Sequence, residues 1–323
     1  MKPAYFRISP VNINGKASNR MMIVLKTRGC EYAKNNNGGC TVCGFLNHAR
    51  EDITGSDMIA QLDYILETTD IKDVEEIDLL SLGSFLNTNE VSEDTQRALL
   101  ERVARLPGIR RVSVESRAEY VTVEKLKEIR ELLGNKTVEF GIGLESADDY
   151  IRNTIINKSL SKRGFERVVE MVREAGCDLL TYLLIKPPGI SEEEAVTDAV
   201  SSAKYVFETA AKYGVSARAA FEPVFICENT PLEDLFLNSK YRLVNLWSVV
   251  EVIRRVHRHG SIFVGLSDEN LSMERMPNSC PLCAPVIVDE IERYNRTLDI
   301  SGLEKLDCRC KKQYEYERER GII

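Results

Sequence analysis

The stretch Arg28-Gly29-Cys30, followed by Gly38-Gly39-Cys40-Thr41-Val42-Cys43-Gly44-Phe45, decides how this chain is read. Nine residues separate Cys30 from Cys40 and two separate Cys40 from Cys43, a C-x9-C-x2-C pattern on a glycine-rich loop. Three thiolates gathered this way can ligate three irons of a [4Fe–4S] cube and leave the fourth iron open. An apolar run, Met21-Met22-Ile23-Val24-Leu25, precedes the loop and reads as a buried strand. Two other readings stand beside the cube. One is a zinc site, for which His48 offers a fourth ligand; the other is three unliganded thiols.

Beyond the loop, strand and helix patterns alternate. Helices are predicted over 56–69, 92–106, 122–133, 161–175, 191–213 and 240–259, and strands over 76–82, 110–116, 137–146, 179–185, 217–224 and 262–266. Ser92 and Thr122 supply N-caps, Ser191-x-x-Glu194 is a capping box, and Gly176 and Gly214 stop their helices. The strands are too apolar for a one-faced antiparallel sheet. Counting from Met21 gives six βα repeats and a short seventh strand near Ile262. The expected fold is α/β: a partial (βα)6 TIM-like barrel, open on one side, with its chemistry at the C-terminal ends of the strands. The cysteine loop lies at such an end.

The division expected is an N-terminal extension over 1–20, the barrel over 21–272, and a small C-terminal lobe over 273–323. That lobe carries Cys280, Cys283, Cys308 and Cys310, a set of four thiols suited to structural zinc or to a second iron–sulfur cluster. After Lys311 the tail is highly charged and is expected to fray. Cys177 and Cys227 read as single buried thiols.

Composition narrows the partners. With 43 basic and 50 acidic side chains the net charge is −7, an awkward balance for a chain that grips nucleic acid unaided. A local basic face around Lys158, Lys162, Arg163 and Arg167 remains available. No apolar run approaches the roughly 20 residues that span a bilayer. Because Met1-Lys2-Pro3-Ala4-Tyr5 lacks an apolar signal region, a cytoplasmic location is expected. Nine cysteines in that reducing compartment favour metal ligation over disulfides.

Polar groups end several of the apolar strands: Glu115, Ser116 and Arg117; Glu145; Lys186; and Glu222. At such positions a carboxylate can hold hydroxyls or an ammonium, and a cation can hold a carboxylate. The plainer readings are a local pair of Arg117 with Glu115 or Glu119, a solvated Lys158, and polar turns at Lys186 and Glu222.

Taken together, the cysteine loop, Gly83-Ser84-Phe85-Leu86-Asn87, Val114-Glu115-Ser116-Arg117, Gly143-Leu144-Glu145-Ser146 and the four C-terminal cysteines resemble the archaeosine-synthesis family of radical S-adenosylmethionine (SAM) enzymes, in the branch of the Elongator catalytic subunit. The usual superfamily spacing is C-x3-C-x2-C, and this loop is longer. The resemblance implies that Cys30, Cys40 and Cys43 carry the cluster and that SAM chelates its open iron. Phe45, Gly83, Ser84, Glu115, Ser116, Arg117, Glu145 and Lys158 would then serve the cofactor, and Lys186 and Glu222 the substrate. It further implies a 5′-deoxyadenosyl radical and a lyase cutting the lysine adduct of 7-cyano-7-deazaguanine in tRNA. Its partners would be an electron donor and a lysine-attaching transferase that helps to hold the tRNA. Two alternatives remain: a radical enzyme for a small metabolite or peptide, and a non-enzymatic metal-binding module.

Overall fold

The structure, a computed structural model, describes residues 1–266 and 275–323; the boundary expected between 272 and 273 lies outside them. Among these residues eight strands form one sheet: β1 (Tyr5–Ile13), β2 (Lys16–Leu25), β3 (Val74–Ser81), β4 (Arg111–Glu115), β5 (Thr137–Glu145), β6 (Asp178–Ile185), β7 (Ala217–Pro223) and β8 (Ser261–Val264). The helices are α1 (Glu31–Asn35), α2 (Gly55–Thr68), α3 (Glu93–Ala104), α4 (Val123–Leu133), α5 (Lys162–Ala175), α6 (Glu192–Tyr213), α7 (Pro231–Leu237), α8 (Leu246–Val256), α9 (Ala284–Thr297), α10 (Ser301–Lys305) and α11 (Arg309–Glu319).

Strands β2 to β8 are parallel and lie in sequence order, so the sheet winds steadily around one axis. Six βα units followed by a last short strand match the repeat count. Caps set the helix limits: Ser92, Thr122 and Ser161 each accept a backbone N–H, and Thr54 and Ser191 form capping boxes with Asp57 and Glu194. The helix expected over 240–259 starts later, at Leu246, because Asn245 takes the N-cap.

Most of residues 1–20 belong to the sheet, in β1 and the start of β2. β1 pairs antiparallel with β2 along its whole length, and Val11 is buried. The two ends of the sheet, β1 and β8, leave a seam, and α9 from the C-terminal lobe fills it. The Asn295 side chain accepts from Val264 N at 3.0 Å and donates to Val264 O at 2.9 Å, replacing a neighbouring strand. From β1, Asn12 donates to Arg296 O, and Arg7 donates to Leu266 O and pairs with Glu292. A lobe read as an appendage therefore completes the barrel wall.

The tail does not fray as expected. α11 buries Tyr314, whose hydroxyl lies 2.7 Å from Ser248 Oγ, and Ile323 O accepts from Glu192 N at 3.1 Å. Charge on one face of α11 hid the few apolar residues that dock it.

At the barrel floor six charged residues interlock. Arg20 pairs with Asp78, Arg111 with Glu76, and Arg218 with both Glu76 and Glu139. Three cations and three anions cancel, which is how so much charge stays buried. Burial pushes the Glu76 carboxyl up, but Arg218 and Arg111 outweigh it and hold the group below its usual value. Burial dominates at Asp78, which rises to about 6 despite Arg20.

Candidate active site

The cysteine loop leaves β2 and crosses the C-terminal ends of the strands. Cys30 stands at the start of α1, and Cys43 N donates to Cys40 O at 3.1 Å. Thr41 anchors the loop across the barrel: its backbone N donates to Ile156 O and its hydroxyl to Ile155 O at 2.7 Å. Cys30, Cys40 and Cys43 all line one cavity of about 290 Å³. His48, exposed at the end of a single 3-10 turn, does not line it. Burial pushes the thiols of Cys30 and Cys40 up, and the Cys43 thiol is also raised where it faces Cys40, although Cys43 itself is exposed on the loop. Arg117 and Lys158 oppose the shift at Cys40. Such thiols become good thiolate ligands once a metal centre supplies the compensating charge.

Glu90 joins the loop to the end of β3. Its carboxylate accepts from Ser84 N at 2.6 Å, Glu31 N at 2.9 Å and Asn87 Nδ2 at 3.0 Å. Gly83 is required there, since any Cβ would collide with Glu90 and come within 2.9 Å of the Cys30 Cα. Ser84 is fully buried; its hydroxyl accepts from Arg117 N and does not reach the cavity.

Arg117 lies 3.6 Å above the Tyr32 ring, donates to Lys158 O at 2.9 Å and pairs with Glu119 at 2.5 Å. The local pair expected as the plainer reading thus exists, and Arg117 still lines the cavity. Lys158 is no solvated surface lysine: its ammonium meets Glu145 at 2.6 Å, in space that a Cβ on Gly143 would occupy. Glu145 and Lys186 both hold left-handed backbone, at φ 66° and 64°.

Of the expected residues, Phe45, Gly83, Glu115, Ser116, Arg117, Glu145, Lys158 and Glu222 share this cavity with the three cysteines. Lys186 does not. It is buried against Glu192 at 2.6 Å, in a network running through Ser248 to Tyr314, so it braces β6 against the C-terminal tail. Ser116 Oγ is buried on the cavity and has no hydrogen-bond partner among the described residues, the orphaned atom a bound ligand would satisfy.

The family model of the radical SAM superfamily matches residues 24–199, more than half of the chain, including the three-cysteine loop. The chain belongs to the radical SAM superfamily. An uncharacterized protein of Methanocaldococcus jannaschii is 32% identical over 300 residues, covering 90% of this chain and 80% of that protein. The archaeosine synthase subunit beta of Methanosarcina acetivorans is 28% identical over 305 residues, 94% of this chain and 86% of the relative. Among solved structures, the archaeal Elp3 of Methanocaldococcus infernus, with its N-terminus deleted, superposes with a TM-score of 0.54 at 12% identity. That match covers 88% of this chain and 64% of the Elp3 chain, and it supports the fold.

Membership in the radical SAM superfamily implies SAM and a [4Fe–4S] cluster, and the donor set fits them. Three cysteines face one cavity whose walls bring a cation, carboxylates and an unsatisfied hydroxyl to the same space.

The C-terminal thiols form a second, separate group. Cys280 lies 3.4 Å from Cys283 and 3.6 Å from Cys308, Cys283 lies 3.4 Å from Cys310, and all four sulfurs fall within 4.8 Å of one another. Four thiolates on one tetrahedral ion at about 2.3 Å stand about 3.8 Å apart. A four-iron cube holds its thiolates at outer corners, farther from one another, so this set fits a single ion. A hydrogen bond from the Cys283 backbone leads the groups that pull Cys280 down to about 6, and Trp247 Nε1 donates to Cys310 Sγ at 3.3 Å.

Sequence reasoning missed Glu90, Tyr32 and Tyr182, and the charged barrel floor. The floor had a readable signal, because Glu76, Asp78, Arg111, Glu139 and Arg218 interrupt apolar strands. Glu90 had none, since it acts from a turn between β3 and α3.

Proposed function

We propose that this radical SAM enzyme is a lyase that cuts the lysine adduct of 7-cyano-7-deazaguanine in tRNA, leaving the archaeosine base. The observation carrying this reading is the 94% coverage of the chain by a relative named archaeosine synthase subunit beta. When bound, the cluster and SAM together supply a 5′-deoxyadenosyl radical that removes hydrogen from the substrate.

The protein's part is to bind and orient. Cys30, Cys40 and Cys43 hold the cluster; Arg117 and Lys158 draw the carboxylate of SAM; Gly83 exposes main chain to its ammonium; Ser116 offers its unsatisfied hydroxyl. Apolar walls from Val24, Leu80, Ile156 and Leu184 keep water from the reacting carbon. Substrate-side contacts come from Glu222. The C-terminal thiols hold zinc, the ion whose thiolate tetrahedron matches their spacing.

With a net charge of −7 the chain takes its tRNA together with a lysine-attaching transferase partner, consistent with a relative that is named as one subunit of a synthase. It works in the cytoplasm with an electron donor. No helix among the described residues is long and apolar enough to cross a membrane.

Anaerobic reconstitution tests the reading. Wild type with dithionite should form 5′-deoxyadenosine and convert lysine-modified tRNA, while Cys40→Ala should do neither. Deoxyadenosine without tRNA conversion would refute the lyase assignment, and its absence from the reconstituted wild type would refute the radical chemistry.

A further inference from the structure

We propose that Tyr32 is a positioning residue for SAM: its ring holds the guanidinium of Arg117 in place, and its hydroxyl fixes that ring to a second loop. This rests on the reading above that Arg117 draws the SAM carboxylate, and it gives a purpose to the length of the cysteine loop.

The nine residues between Cys30 and Cys40 are well ordered by their own hydrogen bonds. Glu31–Asn35 form α1; then Gly38 N donates to Ala33 O at 3.0 Å and Gly39 N to Asn36 O at 2.9 Å, which turns the chain back to Cys40. Gly39 is required at that turn, since its φ is 79° and a Cβ would approach Ala33 to 2.8 Å. Tyr32, in the first turn of α1, brings its ring to the wall of the cavity.

Asn157 fastens this turn. Its carbonyl accepts from the Tyr32 hydroxyl at 2.7 Å, and its side-chain amide donates to Gly39 O at 2.9 Å. It holds left-handed backbone at φ 58°, a conformation that asparagine tolerates better than most residues. The next carbonyl, that of Lys158, accepts from Arg117 Nη2 at 2.9 Å. Consecutive carbonyls therefore hold the tyrosine and the arginine that stacks on it.

Arg117 is thus restrained on three sides. The Tyr32 ring lies 3.6 Å from the guanidinium carbon, Glu119 takes Nε, and Lys158 O takes Nη2. Nη1 has no hydrogen-bond partner among the described residues, and Arg117 lines the cavity together with the three cysteines. A ring face attracts a cation without occupying any of its N–H donors. Ordering a long side chain costs entropy, and restraint in advance removes that cost from ligand binding.

The test measures equilibrium binding of SAM and of 5′-methylthioadenosine to anaerobically reconstituted protein at matched iron content. The second ligand keeps the adenosine and lacks the amino-acid carboxylate. Tyr32→Leu should weaken SAM by about fivefold, the loss of one cation–π support, and leave 5′-methylthioadenosine unchanged. Tyr32→Phe keeps the ring and should retain most of the SAM affinity. Arg117→Gln should weaken SAM at least as much as Tyr32→Leu. Adding Tyr32→Leu to it should cost nothing further, because the tyrosine acts through the arginine.

Equal losses of both ligands in Tyr32→Leu overturn the proposal, as do losses at the two positions that add in the double variant. If Arg117→Gln weakens SAM and Tyr32→Leu does not, the carboxylate assignment stands and the role of Tyr32 falls. If Arg117→Gln binds SAM as wild type does, both fall. Should Tyr32→Leu fail to take up iron, Tyr32→Phe is compared with pentafluorophenylalanine at position 32, a ring of similar shape whose face no longer attracts a cation. The fluorinated ring should bind SAM more weakly, and equal affinity overturns the proposal.

Discussion

Replacing Glu90 with alanine tests the most economical device in the site. One carboxylate, 4% exposed, accepts from the backbone of Ser84 at the end of β3 and of Glu31 at the start of α1. Alanine leaves two backbone donors stranded. Each unsatisfied buried donor costs about 1–3 kcal/mol, so the pair costs roughly 2–6 kcal/mol. The lower half of that range is expected, because burial already pushes the Glu90 carboxyl up and its removal relieves that strain. Against a typical total of about 5–15 kcal/mol this is a large fraction. Anaerobic thermal unfolding and iron content should both be measured. Glu90→Ala should melt earlier and also lose iron, since Glu31 directly follows Cys30. Glu90→Gln keeps one acceptor oxygen and should fall between. A Glu90→Ala protein that melts as wild type and binds full iron would show that the carboxylate clamps nothing.

Three further outcomes follow from the same geometry. Burial, with Glu145 and Asp78 adding to it and Lys158 opposing, pushes Glu115 up to about 7, beside a Tyr182 that stays neutral. The raised carboxyl favours the fold below its unfolded value of 4.5, and that contribution is lost as pH rises through about 7, so thermal unfolding should show stability falling across that window and Glu115→Gln should flatten the fall. Asn295→Leu strands Val264 N and O at the seam and should destabilise the protein by roughly 2–6 kcal/mol in denaturant unfolding; no change would mean that α9 does not close the wall. Trp247, the single tryptophan, donates to Cys310 Sγ, so metal removal from the C-terminal thiols should shift its fluorescence, and Cys308→Ser should mimic the shift. A fluorescence spectrum indifferent to chelators would refute a metal at that site.

Periodicity made most of the barrel legible. The six βα units, their caps at Ser92, Thr122 and Ser191, and the stops at Gly176 and Gly214 all follow from local pattern. β1 was hidden because an edge strand with half-exposed faces, interrupted by Pro10, carries little alternation. The cavity lining was legible where polar residues end apolar strands, as at Glu115, Arg117, Glu145 and Glu222. Lys186 satisfied the same rule and failed, since its partner Glu192 lies six residues on and turns it away from the cavity. No spacing rule separates those two cases. The seam contacts of Arg7 and Asn12 link residues more than 250 positions apart, beyond the reach of any local signal.

That seam has a consequence for how the molecule comes into being. The cluster loop lies within the first 43 residues, yet the chamber around it needs Glu222 from the last third of the chain. The wall itself is not joined until Asn295 meets Val264. On a ribosome emitting the chain from its N-terminus, the three thiols emerge long before anything can enclose them. Cofactor delivery can thus precede closure, and the helices that emerge later seal the vessel around a centre already in place.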